Sequence, residues 1–300
     1  MSPAQQPAAD LVEFAPAKIN LTLRVGPPRG DGYHPLDSLV VFSRDWGDAI
    51  GLSAAGSLGL ELTGPGADAL TGLSDNLALK AAYALRAAAG KPELGARITL
   101  EKHLPAGAGL GGGSADAAGV LRGLNRLWDC GFSLKQLAEI GSVVGSDVPA
   151  CVHSAPLRMT GRGEAIQRLA AWPDLYAVLA YPGEALSTGA VFARYDEEHP
   201  RPIGEARTPA AGSVDRAIEI AVGSANDLEA PAQQLSPVVG EALTLLGAAP
   251  GARMARMSGS GSTCLAIFVD EAAAEAAAAS IALARPGWRV RASLLEGVKL

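Results

Sequence analysis

The sequence predicts an α+β protein built as two units. Its 300 residues are about two domains' worth at ~150 residues each. In the first half, period-two apolar alternation gives way to helical spacing. In the second half a strand–helix–strand pattern runs over 262–295.

The first unit is expected over 1–155. Ile19, Leu21, Leu23 and Val25 alternate with Asn20, Thr22 and Arg24, the period of a half-buried strand, so Lys18 shares the polar face with Asn20 and Thr22. Strands are expected at 37–42, 48–53 and 58–63, separated by Gly, Pro and Asp turns. Residues 74–90 read as a helix capped by Ser74 or Asp75 and stopped by Gly90, and 97–104 as a short strand. A helix beginning near Ser114 carries Ala117, Leu121, Leu124 and Trp128 on one face. The next starts at Ser133, with Gln136 completing a capping box, and ends at Gly145. Residues 145–149 then form a tight connection, because Pro149 disfavours helix in the residue before it.

The second unit is expected over 156–295, with the tail 296–300 returning to the first. It opens with a hairpin at 157–168 and a strand at 176–181, followed by a short helix from Ser187 or Thr188. Residues 196–212 read as a surface excursion. Ser236-Pro237 starts another helix, with proline in its favoured first position. A strand at 262–269, an Ala-rich helix at 271–284 and a strand at 288–295 complete the chain.

Composition narrows the function classes. Hydrophobic residues make up 48% and charged ones 19%, a globular profile, and the net charge is −6 with no Lys/Arg cluster, which argues against nucleic acid. No run of about 18 apolar residues is long enough for a membrane span; Ala-rich 272–284 is interrupted by Glu275. The start, MSPAQQPAAD, shows no basic segment leading into an apolar core, so the cytoplasm is the expected compartment. Cys130, Cys151 and Cys264 are far apart and read as small buried hydrophobes. A small-molecule partner and a monomer or weak homodimer are expected.

The chemistry concentrates at LPAGAGLGGGSADAAG, residues 104–119. Gly107, Gly109 and Gly112 satisfy GxGxxG, but a second capped helix follows where a dinucleotide fold needs a strand. Gly113 stands where a P-loop needs lysine. A flexible linker would not enter through apolar residues and run into a patterned helix. What remains is a bare-backbone cradle for phosphate at a helix start. Phosphoryl transfer asks for positioning and charge neutralisation. Asp147 could accept a hydroxyl proton and Lys18 stabilise charge; alone, they read as a turn aspartate and a solvated strand lysine. Asp31-Gly32-Tyr33-His34 reads either as a hairpin turn or as an aromatic stack with an imidazole on a ligand's edge, and Phe192 as core or as the opposite wall. Ser258-Gly259-Ser260-Gly261-Ser262 is a Ser/Gly turn or a second set of backbone donors.

Taken in order, PAKINLTL (16–23), DGYHPL (31–36), SDNLALKAA (74–82), the 104–118 loop, GSDVPAC (145–151), GRGE (161–164), LSTGAVF (186–192), SANDLE (224–229) and MSGSGSTCLAIF (257–268) resemble the GHMP superfamily of small-molecule kinases. DGYH with PAKINL is most similar to the branch acting on a cytidyl-diphosphate-linked polyol of the non-mevalonate isoprenoid pathway.

The resemblance implies a first domain like domain 2 of ribosomal protein S5, a ferredoxin-like second domain, and a site in the cleft between them. It implies ATP-dependent phosphorylation of the polyol's 2-hydroxyl, with Asp147 as base and Lys18 as charge partner. ATP would lie on Pro105, Gly107, Gly109, Gly111, Gly112, Gly113, Ser114 and Ala115, with Asn76 and Lys102 nearby. Asn20 would hold the polyol or phosphate, Tyr33 and Phe192 would sandwich the cytosine, and His34 and Thr188 would surround it. The family commonly has two serines after the glycines; Ala115 replaces the second, leaving Ser114 alone for Mg²⁺, with Asp116 and Glu164 as candidate carboxylates. Kinases for mevalonate or homoserine, and a non-catalytic relative, are the alternatives. DGYH argues against the former and intact Lys18 and Asp147 against the latter.

Overall fold

The computed structural model describes residues 9–68, 76–198, 200–204 and 208–298. The first unit is organised around one long strand. β1 (Leu11–Asn20) and β2 (Arg24–Val25) both pair antiparallel with β3 (Leu36–Ala55). The two strands expected at 37–42 and 48–53 are therefore one. Its register against β1 jumps from Lys18↔Phe42 to Pro16↔Gly47, so Ser43 to Trp46 bulge out. The Asp45 and Gly47 turn signals mark that bulge, which the Ser43 hydroxyl closes by accepting from the Trp46 amide at 2.8 Å.

β4 (Leu58–Thr63) and β5 (Gly95–Glu101) are parallel, joined through α1 (Leu77–Ala88), and β5 pairs with β3. The expected caps Ser74 and Asp75 lie outside the described residues. Asn76 caps α1 instead, its side chain accepting from the Ala78 amide at 2.9 Å. α2 (Gly112–Leu127) starts two residues earlier than expected. α3 (Leu134–Ser142) has the expected Ser133/Gln136 capping box. α4 (Val148–His153) replaces the expected tight connection, with Pro149 in the first turn, where its missing N–H leaves no bond unmade.

The hairpin β6 (Leu157–Gly161) and β7 (Ala165–Arg168) pairs with β3, although it follows the expected boundary at 155. The later elements are β8 (Leu175–Tyr181), α5 (Thr188–Asp196), α6 (Val214–Val222), α7 (Glu229–Leu235), α8 (Pro237–Gly247), β9 (Ala252–Met257), β10 (Cys264–Phe268), α9 (Glu271–Ala284) and β11 (Arg289–Leu295). The antiparallel order β11-β8-β10-β9, with α8 and α9 as the connecting helices, is ferredoxin-like. β9 was not expected: Arg253 and Arg256 interrupt its apolar residues, and only Met254 and Met257 turn fully inward.

The two sheets meet where Leu295 of β11 pairs with Ser43 in the β3 bulge. The tail then follows the seam, Glu296 donating to the Phe42 carbonyl and Val298 to that of Trp172. All three cysteines are free, and burial raises the Cys151 and Cys264 thiols. Among the described residues no helix is long and apolar enough to cross a membrane.

α2 lies close on β1 and β3 because Gly119 and Gly123 face them. A Cβ on either would overlap Ile50 Cδ1 or Leu52 Cδ1. Overpacking of this kind costs about 1–3 kcal/mol. Ile50→Val removes the atom that Gly119→Ala would strike. The double variant should thus be more stable than the summed singles predict, by about 1 kcal/mol in urea unfolding; simple additivity would contradict this packing.

Candidate active site

Three stretches of backbone converge on one cleft of about 790 Å³. The first is the loop between β5 and α2. Gly107, Gly109 and Gly111 all have positive φ there, and at Gly109 the reason is contact as well as torsion. A Cβ on Gly109 would overlap the Ser258 carbonyl and sit 2.8 Å from that of Gly261. Gly111 caps α2 without a side chain, so the first amides of that helix have no side-chain acceptor. Pro105, Gly107, Gly109, Gly111, Gly112, Gly113 and Ser114 line the cleft; Ala115 is buried in the core behind them.

The second stretch is β1. Lys18 donates its amide to the Leu110 carbonyl at 2.9 Å, tying the strand to the loop. The expected half-buried strand is buried on both faces here, with Lys18 only 5% exposed, because loop 107–111 and loop 258–262 cover its polar side. Lys18 Nζ lies 2.9 Å from Asp147 Oδ2, at the start of α4. Asn20 donates to Ser38 Oγ at 2.8 Å, and its buried Oδ1 has no hydrogen-bond partner although the residue lines the cleft.

The third stretch is aromatic. His34 rests on Phe192 with ring centroids 4.8 Å apart, and its Nε2 lies 2.8 Å from Asp196 Oδ1. Tyr33 is half exposed, with the Arg162 guanidinium 4.9 Å from its ring centroid. Thr188 shares a 2.9 Å hydroxyl–hydroxyl bond with Ser260. All of these residues line the same cleft.

Two expected residues and one expected loop stand differently. Asn76 uses its oxygen to cap α1 and is not on the lining, although its neighbour Leu77 is. Lys102 lines the cleft, but its ammonium is buried between Asp48 and Asp116, 2.5 Å from the latter. In the 258–262 loop the Ser258 and Gly261 amides bond to the Thr263 and Ser258 carbonyls, and the Thr263 amide just beyond it donates to Ala108, so this loop braces the first one while Gly259 and Ser260 line the cleft.

The metal candidates are likewise committed. Asp116 faces Lys102, and Glu164 accepts from the Arg162 amide at 2.6 Å. Among the described residues no group of three acidic, His or Cys side chains is placed to hold a metal. Residues that the sequence reading gave no role are Arg162 and Asp196. Asp196 sits one helical turn after Phe192, a spacing that could have shown it facing the same way.

Comparison with known proteins identifies the family. Residues 76–155 match the model for the GHMP kinases N terminal domain, and residues 209–284 that for GHMP kinases C terminal. The chain is similar to the 4-diphosphocytidyl-2-C-methyl-D-erythritol kinase of Cereibacter sphaeroides, 46% identical with 95% of this chain and 99% of that one covered. It is similar to the same-named kinase of Paracoccus denitrificans, at 47% with 96% and 97% covered. A solved 4-(cytidine 5'-diphospho)-2C-methyl-D-erythritol kinase superposes with TM-score 0.76 at 34% identity, covering 96% of this chain and all of that one. A homoserine kinase from Cytophaga hutchinsonii, TM-score 0.71 and 17% identical over 99% of this chain and 100% of its own, shares the fold.

Burial, with Asp48 alongside, pushes Asp116 up to about 8 against the attraction of Lys102. Two carboxylates around one buried ammonium are most easily kept with a proton on one of them. Between the ordinary value of 3.8 and about 8 the folded chain therefore holds a proton that the unfolded chain has lost. By linkage, stability falls as pH rises through that window. Asp116→Asn should remove this slope, so the melting-temperature gap between parent and variant should shift in the variant's favour from pH 5 to pH 8. A gap independent of pH would contradict the shared proton.

Proposed function

The chain belongs to the GHMP kinase family of ATP-dependent small-molecule kinases, and from that membership we propose that it phosphorylates the 2-hydroxyl of 4-diphosphocytidyl-2-C-methyl-D-erythritol, with Asp147 as general base and Lys18 beside it. The observation that carries this reading is the 2.9 Å Lys18–Asp147 pair, set in one cleft with the glycine cradle and the Tyr33/His34/Phe192 wall. A bare polyol kinase has no use for an aromatic wall; a cytidyl-tagged polyol does.

ATP supplies the phosphoryl group, and Mg²⁺ bound with it neutralises phosphate charge. The backbone amides opening α2 and the cradle loop hold the nucleotide's phosphates. The residues suit an ion carried mainly by those phosphates and water rather than caged by the protein, and Ser114 would be the side chain to offer it an oxygen. As the new O–P bond forms, Asp147 takes the hydroxyl proton. Lys18 holds the carboxylate in place and lies within reach of the charge that develops. Asn20, with its unpartnered Oδ1, can accept from a neighbouring polyol hydroxyl. Tyr33 and Phe192 flank the cytosine, and Asp196 holds the His34 ring at its edge.

A tertiary hydroxyl is crowded, so alignment dominates, and base catalysis adds about 10²–10⁴-fold. Asp147→Asn should lower kcat by that order with little change in KM, measured by coupled ADP release; near-normal turnover would remove Asp147 as base. Tyr33→Ala and Phe192→Ala should each raise KM for the cytidyl substrate about tenfold or more while leaving KM for ATP alone. The same assay on mevalonate and homoserine should show no turnover, and activity on either in preference to the cytidyl substrate would overturn the substrate.

A further inference from the structure

The hairpin turn between β6 and β7, Gly161-Arg162-Gly163-Glu164, has no role in the mechanism above, yet it spans the two ends of the cleft. At one end the Arg162 guanidinium covers a face of Tyr33. At the other, Gly163 lies against the catalytic aspartate: a Cβ there would be 3.3 Å from the Ser146 carbonyl and 3.5 Å from Asp147 Oδ1. Its φ of +118° also favours glycine. The turn is held by Glu164, whose carboxylate accepts from the Arg162 amide at 2.6 Å and packs under Gly161. Two consecutive residues thus touch the base-stacking wall and the phosphoryl-accepting end.

Charge accounting singles out Arg162. Among the described residues, the cations lining the cleft are Lys18, Lys102, Arg162 and, when protonated, His34. Lys18 is paired with Asp147, Lys102 with two buried carboxylates, and His34 with Asp196. Arg162 is only loosely paired: its Nε is 3.9 Å from Glu164 Oε1, and its side chain is 41% exposed. A guanidinium stacked on an aromatic face keeps its N–H edge free for hydrogen bonding.

We propose that Arg162 is a substrate-binding residue that pairs with the diphosphate linking the nucleoside to the polyol. This rests on the cytidyl-substrate reading and adds the anion site that reading lacks. The diphosphate of such a substrate must lie between its base and its reacting hydroxyl, and Arg162 lies between Tyr33 and Asp147. Gly163 keeps the turn low enough for the substrate to pass over it.

The test compares binding of CDP and cytidine, by calorimetry, to the parent, Arg162→Ala, Arg162→Lys and Tyr33→Ala proteins. The parent should prefer CDP. Arg162→Ala should lose about tenfold for CDP, solvent screening keeping the loss modest, and little for cytidine. Arg162→Lys should recover part of the loss, and the CDP affinity of the parent should fall with salt more steeply than that of Arg162→Ala. Tyr33→Ala should weaken both ligands. Equal losses for CDP and cytidine in Arg162→Ala would show that Arg162 only props Tyr33, and no loss would exclude it from the site; either overturns the proposal and leaves the substrate reading standing. No binding of either ligand to the parent would overturn both together.

Discussion

Between the loop that opens α2 and the loop that precedes β10 there is no space for a side chain. Gly109 packs its Cα against the carbonyls of Ser258 and Gly261, and the Thr263 amide donates to Ala108 across the contact at 3.1 Å. One hydroxyl completes the joint: Ser258 Oγ accepts from the Asn20 amide and donates to the Gly109 carbonyl, each at 3.1 Å. β1, the glycine loop before α2 and the second unit are thereby held at one point. Lys18 reaches Asp147 from there because its own amide is tied to Leu110. Loosening this contact would move Lys18, the glycine loop and the start of α2 together, and ångström-scale misplacement is costly in a reaction dominated by alignment.

The supports behind that joint are polar and buried, and each is paired. Asn226 donates to the carbonyls of Met257 and Gly259 at 2.8 Å and accepts from the Leu228 amide at 3.0 Å, stapling the second loop to the start of α7. Behind the first loop, Asp48 accepts from the Leu104 amide at 2.8 Å while also holding Lys102, whose other partner, Asp116, is on α2. The entry and exit of the cradle are thus tied through one ammonium. The burial that makes the triad costly to charge also makes its geometry narrow, since an unpaired charge there would be far more expensive.

Much of this was legible in the sequence wherever neighbours in sequence do the work. The glycine run and the 133–136 capping box are short-range signals whose helices are present, whereas the apolar period at 19–25 runs across a break, since β1 ends at Asn20 and β2 begins at Arg24. Length and element order gave two α+β units; the resemblance to the GHMP kinases supplied what spacing could not, the topology of each. Long-range pairing was invisible. Lys102 looked like a free nucleotide contact because Asp48 is 54 positions away, and the polar face of β1 looked solvated because its covering loop is 238 positions away. The β3 bulge carried the signature of a turn. Arg162 was hidden for another reason: its motif was recognisable, but its role depends on Tyr33 being brought beneath it.

Gly111 begins α2 with no side chain to accept from the first-turn amides. A helix start of that kind leaves part of the fold to be completed by whatever anion binds there. A nucleotide that binds only the folded chain adds RT ln(1 + [L]/Kd) to its stability, about 2.7 kcal/mol at a hundredfold excess over Kd. That is a sizeable share of the ~5–15 kcal/mol that holds a typical domain folded. The same glycine that lets phosphate approach the backbone thus makes the stability of the fold depend on how much of the protein carries nucleotide.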